Sequence, residues 1–283
     1  MPYASTALPY CGAPPVPGSL WQQWNLDPVL IAVLIGSAAL YGYGRRIAEQ
    51  PGHEGVMART QPIYFYAGWL IATLAFISPL CALSVALFSA RVGQHMILVL
   101  IAAPLIMLGR PGAALAAIAD RARCTAGSGT VALLRVLTGS AAAWIAFAVA
   151  VWFWHAPGPY AATFEANWIY WAMHITLFGS SLLLWRTLIG GDAPQHAAAI
   201  VSGFTTSLHM GLLGALITLA PRAVYEPHAS TTLSWGLGML EDQQLGGVIM
   251  WVPGGGLFLA AGLLSAAALL RSLGDRHTPA LRS

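Results

Sequence analysis

"EDQQLGGVIMWVPGGGLFLAAGLLSAAALLR", residues 241–271, is the stretch that decides the fold class. It opens with two acids, closes with an arginine and contains no charged residue from Gln243 to Leu270. An α-helix of about 20 mainly apolar residues crosses the roughly 30 Å hydrocarbon core of a bilayer. This run is therefore predicted to span a membrane.

The composition of the whole chain supports the same class. Of its 283 residues, 57% are hydrophobic and 8% are charged, whereas roughly a quarter of the residues of a soluble domain are charged. The strands of a membrane barrel alternate apolar and polar residues, and the apolar stretches here do not alternate. We therefore expect an all-α, polytopic integral membrane protein built as a bundle of helices.

Six further uncharged stretches are long enough to be spans, so seven transmembrane helices are predicted, with six and eight as alternatives. These stretches are Pro28–Gly44, Thr60–Ala90, Val92–Gly109, Val136–Phe164, Ala166–Trp185 and Ala193–Pro221. One domain, residues 28–272, is expected between a short external tail, residues 1–27, and a cytoplasmic tail, residues 273–283. Pro111–Ala119 is too short to span and is predicted to form a helix in the membrane interface.

The arginines set the predicted orientation. All thirteen basic residues are arginine, and alternation along seven spans puts eleven of them on one side. Because short loops rich in arginine stay in the cytoplasm, the amino terminus is predicted outside and the carboxyl terminus inside. The other two, Arg91 and Arg222, are expected to anchor at the outer interface, although Arg91 could instead pair with Asp242. The net charge of +3 reflects this asymmetry and does not indicate nucleic-acid binding.

The amino-terminal tail and the cysteines belong to the same topology. The first 27 residues have neither a basic start nor an apolar core, so they are not predicted to be a cleavable signal peptide. Trp21 and Trp24 are expected to anchor this tail at the interface. Cys11 and Cys81 would lie outside and Cys124 inside, so at most one disulfide can form. The alternative is that each cysteine is a small apolar packing residue.

Ionisable and sulfur-containing side chains are concentrated in the outer halves of the predicted spans. Such residues within a membrane are rare and usually face the bundle interior or a water-filled cavity. The inner halves carry little that is comparable, which predicts a site open to the outside and closed below. Imidazole suits copper, zinc and iron, whereas thioether selects copper(I). The candidate copper ligands are His95, His155, His174, Asp242, Met96, Met173 and His209.

Each candidate also has an ordinary structural interpretation. The histidines could make hydrogen bonds between helices, the methionines could fill gaps in the packing, and His228 could be a loop residue. Asp242 or Glu241 could simply cap the last helix. The sharper hypothesis is that Asp242 faces inward and orients a histidine or binds the ion. "VPGGG", residues 252–256, is expected to kink the same helix.

Four stretches resemble one family. "QHMILVLIAAPLIMLGRP" (94–111), "WHAPGPY" (154–160), "YWAMHITLFGSSLLLWR" (170–186) and "EDQQLGGVIMWVPGG" (241–255) are similar to the CtaG family of cytochrome c oxidase assembly factors. The resemblance implies a role in maturing an oxidase and in handling copper for it on the outer side of a bacterial plasma membrane. An oxidase subunit, a soluble copper donor outside the cytoplasm and membrane lipid are the implied partners.

The resemblance also implies site residues. The recurrent histidines of the family correspond to His95, His155 and His174, and its acidic helix start corresponds to Asp242. This chain departs from the family pattern at Arg91 and Trp171, where family members often have further histidines.

These observations predict an assembly factor that holds copper(I) transiently in an outward-facing pocket of histidine, methionine and aspartate. One alternative is a redox protein with haem between His174 and His209. Another is a scaffold that binds an oxidase subunit without metal. A transporter is disfavoured because the inner half offers little polar lining. The sequence shows no nucleophile–base pair, phosphate-binding loop or hydrolytic metal motif, so an enzyme is not expected.

Overall fold

The computed structural model describes residues 8–50, 58–122, 136, 138–189 and 193–277. Over these ranges the chain is helical and contains no strand, as the uncharged stretches predict. The α-helices are α1 Pro28–Ala48, α2 Gln61–Ile77, α3 Pro79–Ala86, α4 Phe88–Leu108, α5 Pro111–Arg121, α6 Ser140–His155, α7 Pro157–Ala162, α8 Asn167–Leu188, α9 Ala193–Thr218 and α10 Met239–His277. Short 3₁₀ turns lie at Pro17–Gln22, Glu226–His228 and Thr232–Trp235.

The helices are those of a multi-pass membrane protein. In the described part of the chain, four helices are long and apolar enough to cross a membrane, namely α1, α4, α9 and α10, and α2 with α3 makes a fifth if this bent pair is one span. The apolar α6 is shorter, and α8, although 22 residues long, has a lower mean hydropathy than these spans. The count of seven spans and the external amino terminus therefore stay predictions.

Two predicted spans are each divided by a proline. Thr60–Ala90 breaks at Ser78, where α2 and α3 meet at an angle of 52°. Pro79 disfavours helical backbone at the residue before it, and the Ser78 hydroxyl accepts a hydrogen bond from the Leu80 amide. Pro157 follows the corresponding break between α6 and α7. Pro253, by contrast, lies inside α10, which continues as a helix through the predicted kink.

Glycines bring α9 and α10 into backbone contact. A Cβ atom on Gly247 would lie 2.8 Å from the carbonyl oxygen of Gly214, and one on Gly203 would lie 2.8 Å from Cα of Gly262. Small residues permit such close approach of helices within a membrane. The short helix predicted at Pro111–Ala119 exists as α5. It packs on α1, where a Cβ on Gly44 would collide with the backbone of Ala114.

The segments predicted to lie outside meet at one end of the bundle, which we call the outer end: residues 9–27, 78–91, 155–165 and 220–242. Contacts between them include a disulfide from Cys11 to Cys81 and a hydrogen bond from the Tyr225 hydroxyl to the carbonyl oxygen of His155 (2.8 Å). The disulfide is the single pairing that the predicted topology allows. Cys124 lies outside the described residues.

Candidate metal site

Three histidines from three helices lie together below the outer end. His95 on α4 is the central one: its ring centre is 5.1 Å from that of His174 on α8 and 6.3 Å from that of His155 on α6. Their exposed fractions are 3%, 2% and 6%. The three histidines for which the sequence predicts a shared site are therefore neighbours, buried in the bundle interior.

The helix that carries His95 is held at its start by Asp242. One carboxylate oxygen of Asp242 accepts the amide N–H of Phe88 (2.7 Å), and the other accepts the amide and hydroxyl of Ser89 (3.1 and 2.5 Å). The first amides of a helix lack partners within the helix, and a carboxylate satisfies them well. Asp242 therefore faces inward and holds the start of the helix that carries His95.

The other polar residues at the start of α10 also bind backbone. Glu241 accepts the amide of Gly238 at the start of its own helix (2.7 Å). Gln243 accepts the amide of Val224 (2.7 Å) and donates to the carbonyl oxygen of Ile217 (3.2 Å). Glu241, Asp242 and Gln243 thus bind three different segments: the start of α10, the start of α4, and the end of α9 with the loop that follows it. Among the residues that the structure describes, no histidine is hydrogen bonded to Asp242.

Backbone carbonyl groups fix the orientation of two of the three imidazoles. Nδ1 of His155 lies 2.7 Å from the carbonyl oxygen of Val151, and Nδ1 of His174 lies 3.0 Å from that of Tyr170. A carbonyl oxygen can only accept, so Nδ1 carries the hydrogen in both rings. In the neutral ring Nε2 then presents a lone pair, which is the form that binds metals.

Several ring nitrogens in this cluster have no hydrogen-bond partner among the residues that the structure describes. They are Nε2 of His174 and both nitrogens of His95, all buried. A buried polar atom without a partner costs about 1–3 kcal/mol. Buried polar groups without a partner call for an explanation. A bound ligand would give these ring nitrogens a partner.

Aromatic rings and one arginine enclose the cluster. Tyr170 and Phe76 lie against His174, with ring centres 4.3 and 5.1 Å away. Arg91, one helical turn before His95, is 1% exposed. Its guanidinium group lies 4.0 Å from the ring centre of Phe164. The prediction that Arg91 anchors at the membrane surface is therefore wrong, because aromatic side chains cover it.

Arg91 is held by neutral groups. Its guanidinium donates to the Thr163 hydroxyl (2.6 Å) and to the carbonyl oxygen of Ser84 (3.2 Å). Within the described ranges no carboxylate forms an ion pair with it, so the alternative of a pair with Asp242 is also not realised. Arg91 is thus a buried cation beside the cluster.

The remaining predicted ligands are Met173, Met96 and His209. Met173 is fully buried. Met96 points toward α10, where a Cβ on Gly254 would lie 3.8 Å from its sulfur. The ring centre of His209 lies 6.0 and 6.1 Å from those of Trp144 and Phe147. In the described part of the chain neither of its ring nitrogens has a hydrogen-bond partner. His174 and His209 thus face different sets of rings.

The geometry suits a two-coordinate ion better than a closed cage. Two imidazoles that share one ion, each with a metal–nitrogen bond of about 2 Å, have ring centres about 5 Å apart at a tetrahedral angle and about 6.3 Å apart when the ion is linear. His95 has a neighbour at about that spacing on either side. In the part of the chain that the structure describes, no three His, Cys, Asp or Glu side chains are arranged to hold one metal ion.

The cluster is closed to solvent in this structure. The two described cavities, of about 310 and 150 Å³, lie among residues such as Trp21, Leu83 and Ile97, and neither is lined by a histidine. The predicted opening toward the outside is therefore not seen at the histidines.

A second buried pair lies in the outer loop and was not predicted. Nε2 of His228 is 2.6 Å from the hydroxyl of Tyr160. Burial, and then the charge of Arg91, lower the pKa of His228 from 6.5 to about 3. The "PHAS" loop gives no sign that this histidine is buried.

The role of Tyr170 could have been read from its position four residues before His174, since a helix brings these residues together.

One protein family matches most of the chain. The model of the cytochrome c oxidase caa3 assembly factor family (Caa3_CtaG) matches residues 39–272, which include all three clustered histidines and Asp242. No curated protein and no solved structure matches the chain. Because the family match covers most of the chain, the protein belongs to the cytochrome c oxidase caa3 assembly factor family.

Proposed function

We propose that this assembly factor holds one copper(I) ion transiently between His95 and a neighbouring histidine and delivers it to a subunit of the oxidase. The observation that carries the proposal is His95 itself. It is buried, neither of its ring nitrogens has a hydrogen-bond partner within the described ranges, and another imidazole lies on either side of it. Family membership supplies the oxidase as the client.

Copper(I) fits these donors for chemical reasons. Neutral imidazole suits copper, and copper(I) accepts two ligands and tolerates thioethers. Met96 and Met173, each next to a cluster histidine in sequence, are the weaker candidate ligands. An ion bound by two imidazoles is held less firmly than one in a closed cage of four, and a donor must release its ion. Asp242 positions α4 and need not touch the metal.

The proposal includes a side of the membrane. Disulfides persist outside the reducing cytoplasm, so the bond between Cys11 and Cys81 supports an outer end that faces the outside of a bacterial plasma membrane. The arginine distribution favours the same orientation. We infer that copper arrives from a soluble donor on that side. The protein then acts as a carrier and scaffold without catalysis.

Copper(I) stoichiometry of the protein purified in detergent tests the proposal. One ion per chain is expected in the unaltered protein, and less than a tenth of that occupancy in a variant with His95→Ala and His155→Ala. His209→Ala is the matched control, because this residue is also a buried histidine but contacts Trp144 and Phe147 instead of the cluster. Undiminished binding in the double variant would reject the copper site.

Two further readouts separate the alternatives. A scaffold without metal predicts that the same double variant still supports oxidase maturation in cells, whereas copper delivery predicts its loss. A haem protein predicts a strong visible absorption band in the purified protein, whereas the proposed carrier is colourless with copper(I).

A further inference from the structure

The sulfur atoms of the disulfide are approached by hydrogen-bond donors. The hydroxyl of Tyr170 lies 3.3 Å from Sγ of Cys11 and 3.7 Å from Sγ of Cys81. The side-chain amide of Asn25 also lies 3.7 Å from Sγ of Cys81. A disulfide sulfur is a weak acceptor, whereas a thiolate is a strong one. These donors therefore stabilise the thiolates of the reduced pair more than the sulfurs of the disulfide.

The disulfide is one aromatic ring away from the histidine cluster. The ring of Tyr170 touches both sulfurs through its hydroxyl and lies 4.3 Å from the ring of His174. Its backbone carbonyl also orients that histidine. Tyr170 thus lies between the two sulfurs and the histidine cluster. An ion at the sulfurs would therefore be distinct from an ion at His95.

The tail that carries Cys11 covers this region from outside. Tyr10 stacks on Tyr170 at 4.8 Å and contacts Trp171 at 5.0 Å. Its hydroxyl donates to Asp27 (2.6 Å). The disulfide joins this tail covalently to α3, because Cys81 lies on α3, 70 residues after Cys11.

A positive charge without a carboxylate partner lies close by. The guanidinium group of Arg91 is 5.9 Å from the ring centre of Tyr170, and no described carboxylate pairs with it. A copper(I) ion with two thiolates carries one negative charge. Burying that charge is costly unless a cation offsets it, and Arg91 supplies one.

We propose that Cys11 and Cys81, when reduced, form a second copper(I) site, separated from the histidine cluster by the ring of Tyr170. An external dithiol, as in a thiol–disulfide oxidoreductase, would attack Sγ of Cys11, because Cys81 is fully buried and Cys11 is 8% exposed. The sulfur–sulfur bond breaks, the protein gains two thiols, and the dithiol becomes a disulfide. The two thiols then bind one copper(I) and release two protons. Thiolates select copper(I) among the available ions. This inference rests on the proposed function: the cysteines would accept the ion first and pass it to the histidine cluster.

Copper(I) binding to oxidised and reduced protein tests the proposal. The full chain in detergent carries Cys124→Ser, so that only these two cysteines can supply thiols. It is reduced, freed of reductant without oxygen, and titrated with copper(I) against a copper(I) chelator. We expect one more ion per chain in the reduced form than in the oxidised form. Alkylation of two thiols, seen as a mass shift, verifies the reduction.

A variant that also carries Cys11→Ser and Cys81→Ser is the matched control. It lacks the tie in both conditions, so it shows whether loosening the tail merely opens the histidines. The proposal requires that this variant bind no more copper(I) than the oxidised protein. Equal binding by the oxidised and reduced forms, or an extra ion in the serine variant, would overturn it. One ion in the reduced form and none in the oxidised form would retain the cysteine site and reject the histidine site.

Discussion

Asp242 and Ser89 are 153 residues apart in sequence, and the carboxylate of the first accepts the amide and the hydroxyl of the second. The other carboxylate oxygen accepts the amide of Phe88. This relationship fixes the last long helix against the start of α4, the helix that carries His95. The position of the central histidine therefore depends on an acid that does not touch it.

Asp242→Asn is expected to destabilise the protein by about 1–3 kcal/mol, because an amide group would meet one of the donors that now face a charged acceptor. Thermal unfolding in detergent measures this loss. Glu241→Gln is the control: Glu241 is exposed and accepts only the amide of Gly238 at the start of its own helix, so a change within about 0.5 kcal/mol is expected. Equal effects of the two substitutions would contradict the assigned roles.

The sequence singled out the three histidines that the structure brings together, but not the contacts that connect the segments around them. The histidines could be found because ionisable residues within spans are rare, and their depth could be read from helical rise. The bonds from Asp242 to α4 join distant segments, and no local pattern encodes them. The same holds for Arg91. Its sequence position near a predicted span end indicates an exposed anchor, whereas tertiary packing buries it under Phe164.

The fold boundaries show the same limit. Absence of charge predicts that a stretch is apolar, but it does not predict where a helix breaks within that stretch. Pro79 and Pro157 each begin a new helix, whereas Pro253 remains within α10. The difference depends on how neighbouring helices accommodate the missing amide hydrogen, which the sequence of one segment does not reveal.

Arg91→Lys is expected to lower stability by about 1–2 kcal/mol. Lysine keeps the charge but lacks the planar group that lies over Phe164 and donates to two oxygens at once. Arg222→Lys is the matched control, since Arg222 is exposed. Thermal unfolding of both variants checks the claim. A buried arginine that tolerates lysine as well as the exposed one does would show that aromatic packing contributes little.

Gly247→Ala is expected to disrupt the contact between α9 and α10. The added methyl would collide with the Thr218 hydroxyl and lie 2.8 Å from the carbonyl oxygen of Gly214. Overpacking of this kind costs about 1–3 kcal/mol. Gly256→Ala on the same helix meets no atom within 4 Å and should be neutral or slightly stabilising. Thermal unfolding should separate the two alanines, and similar stabilities would argue against close packing of these helices.

His228 is expected to make stability depend on pH. Its folded pKa lies below its unfolded value, at about 3 instead of 6.5, because of burial and the charge of Arg91. The unfolded chain therefore binds more protons as the pH falls below 6.5, and the free energy of unfolding decreases from that pH downward. His228→Gln should have a smaller loss of stability between pH 7 and pH 5 than the unaltered chain. Identical pH profiles would show that His228 is not buried in its neutral form.

The ligands of bound copper test directly whether the ion is held at His95. X-ray absorption at the copper edge, on oxidised protein carrying one copper(I) ion, should show two nearest ligands with the scattering pattern of imidazole. The signal should be lost in the variant with His95→Ala. Sulfur as the only ligand type, or an imidazole signal that survives His95→Ala, would contradict a copper site centred on His95.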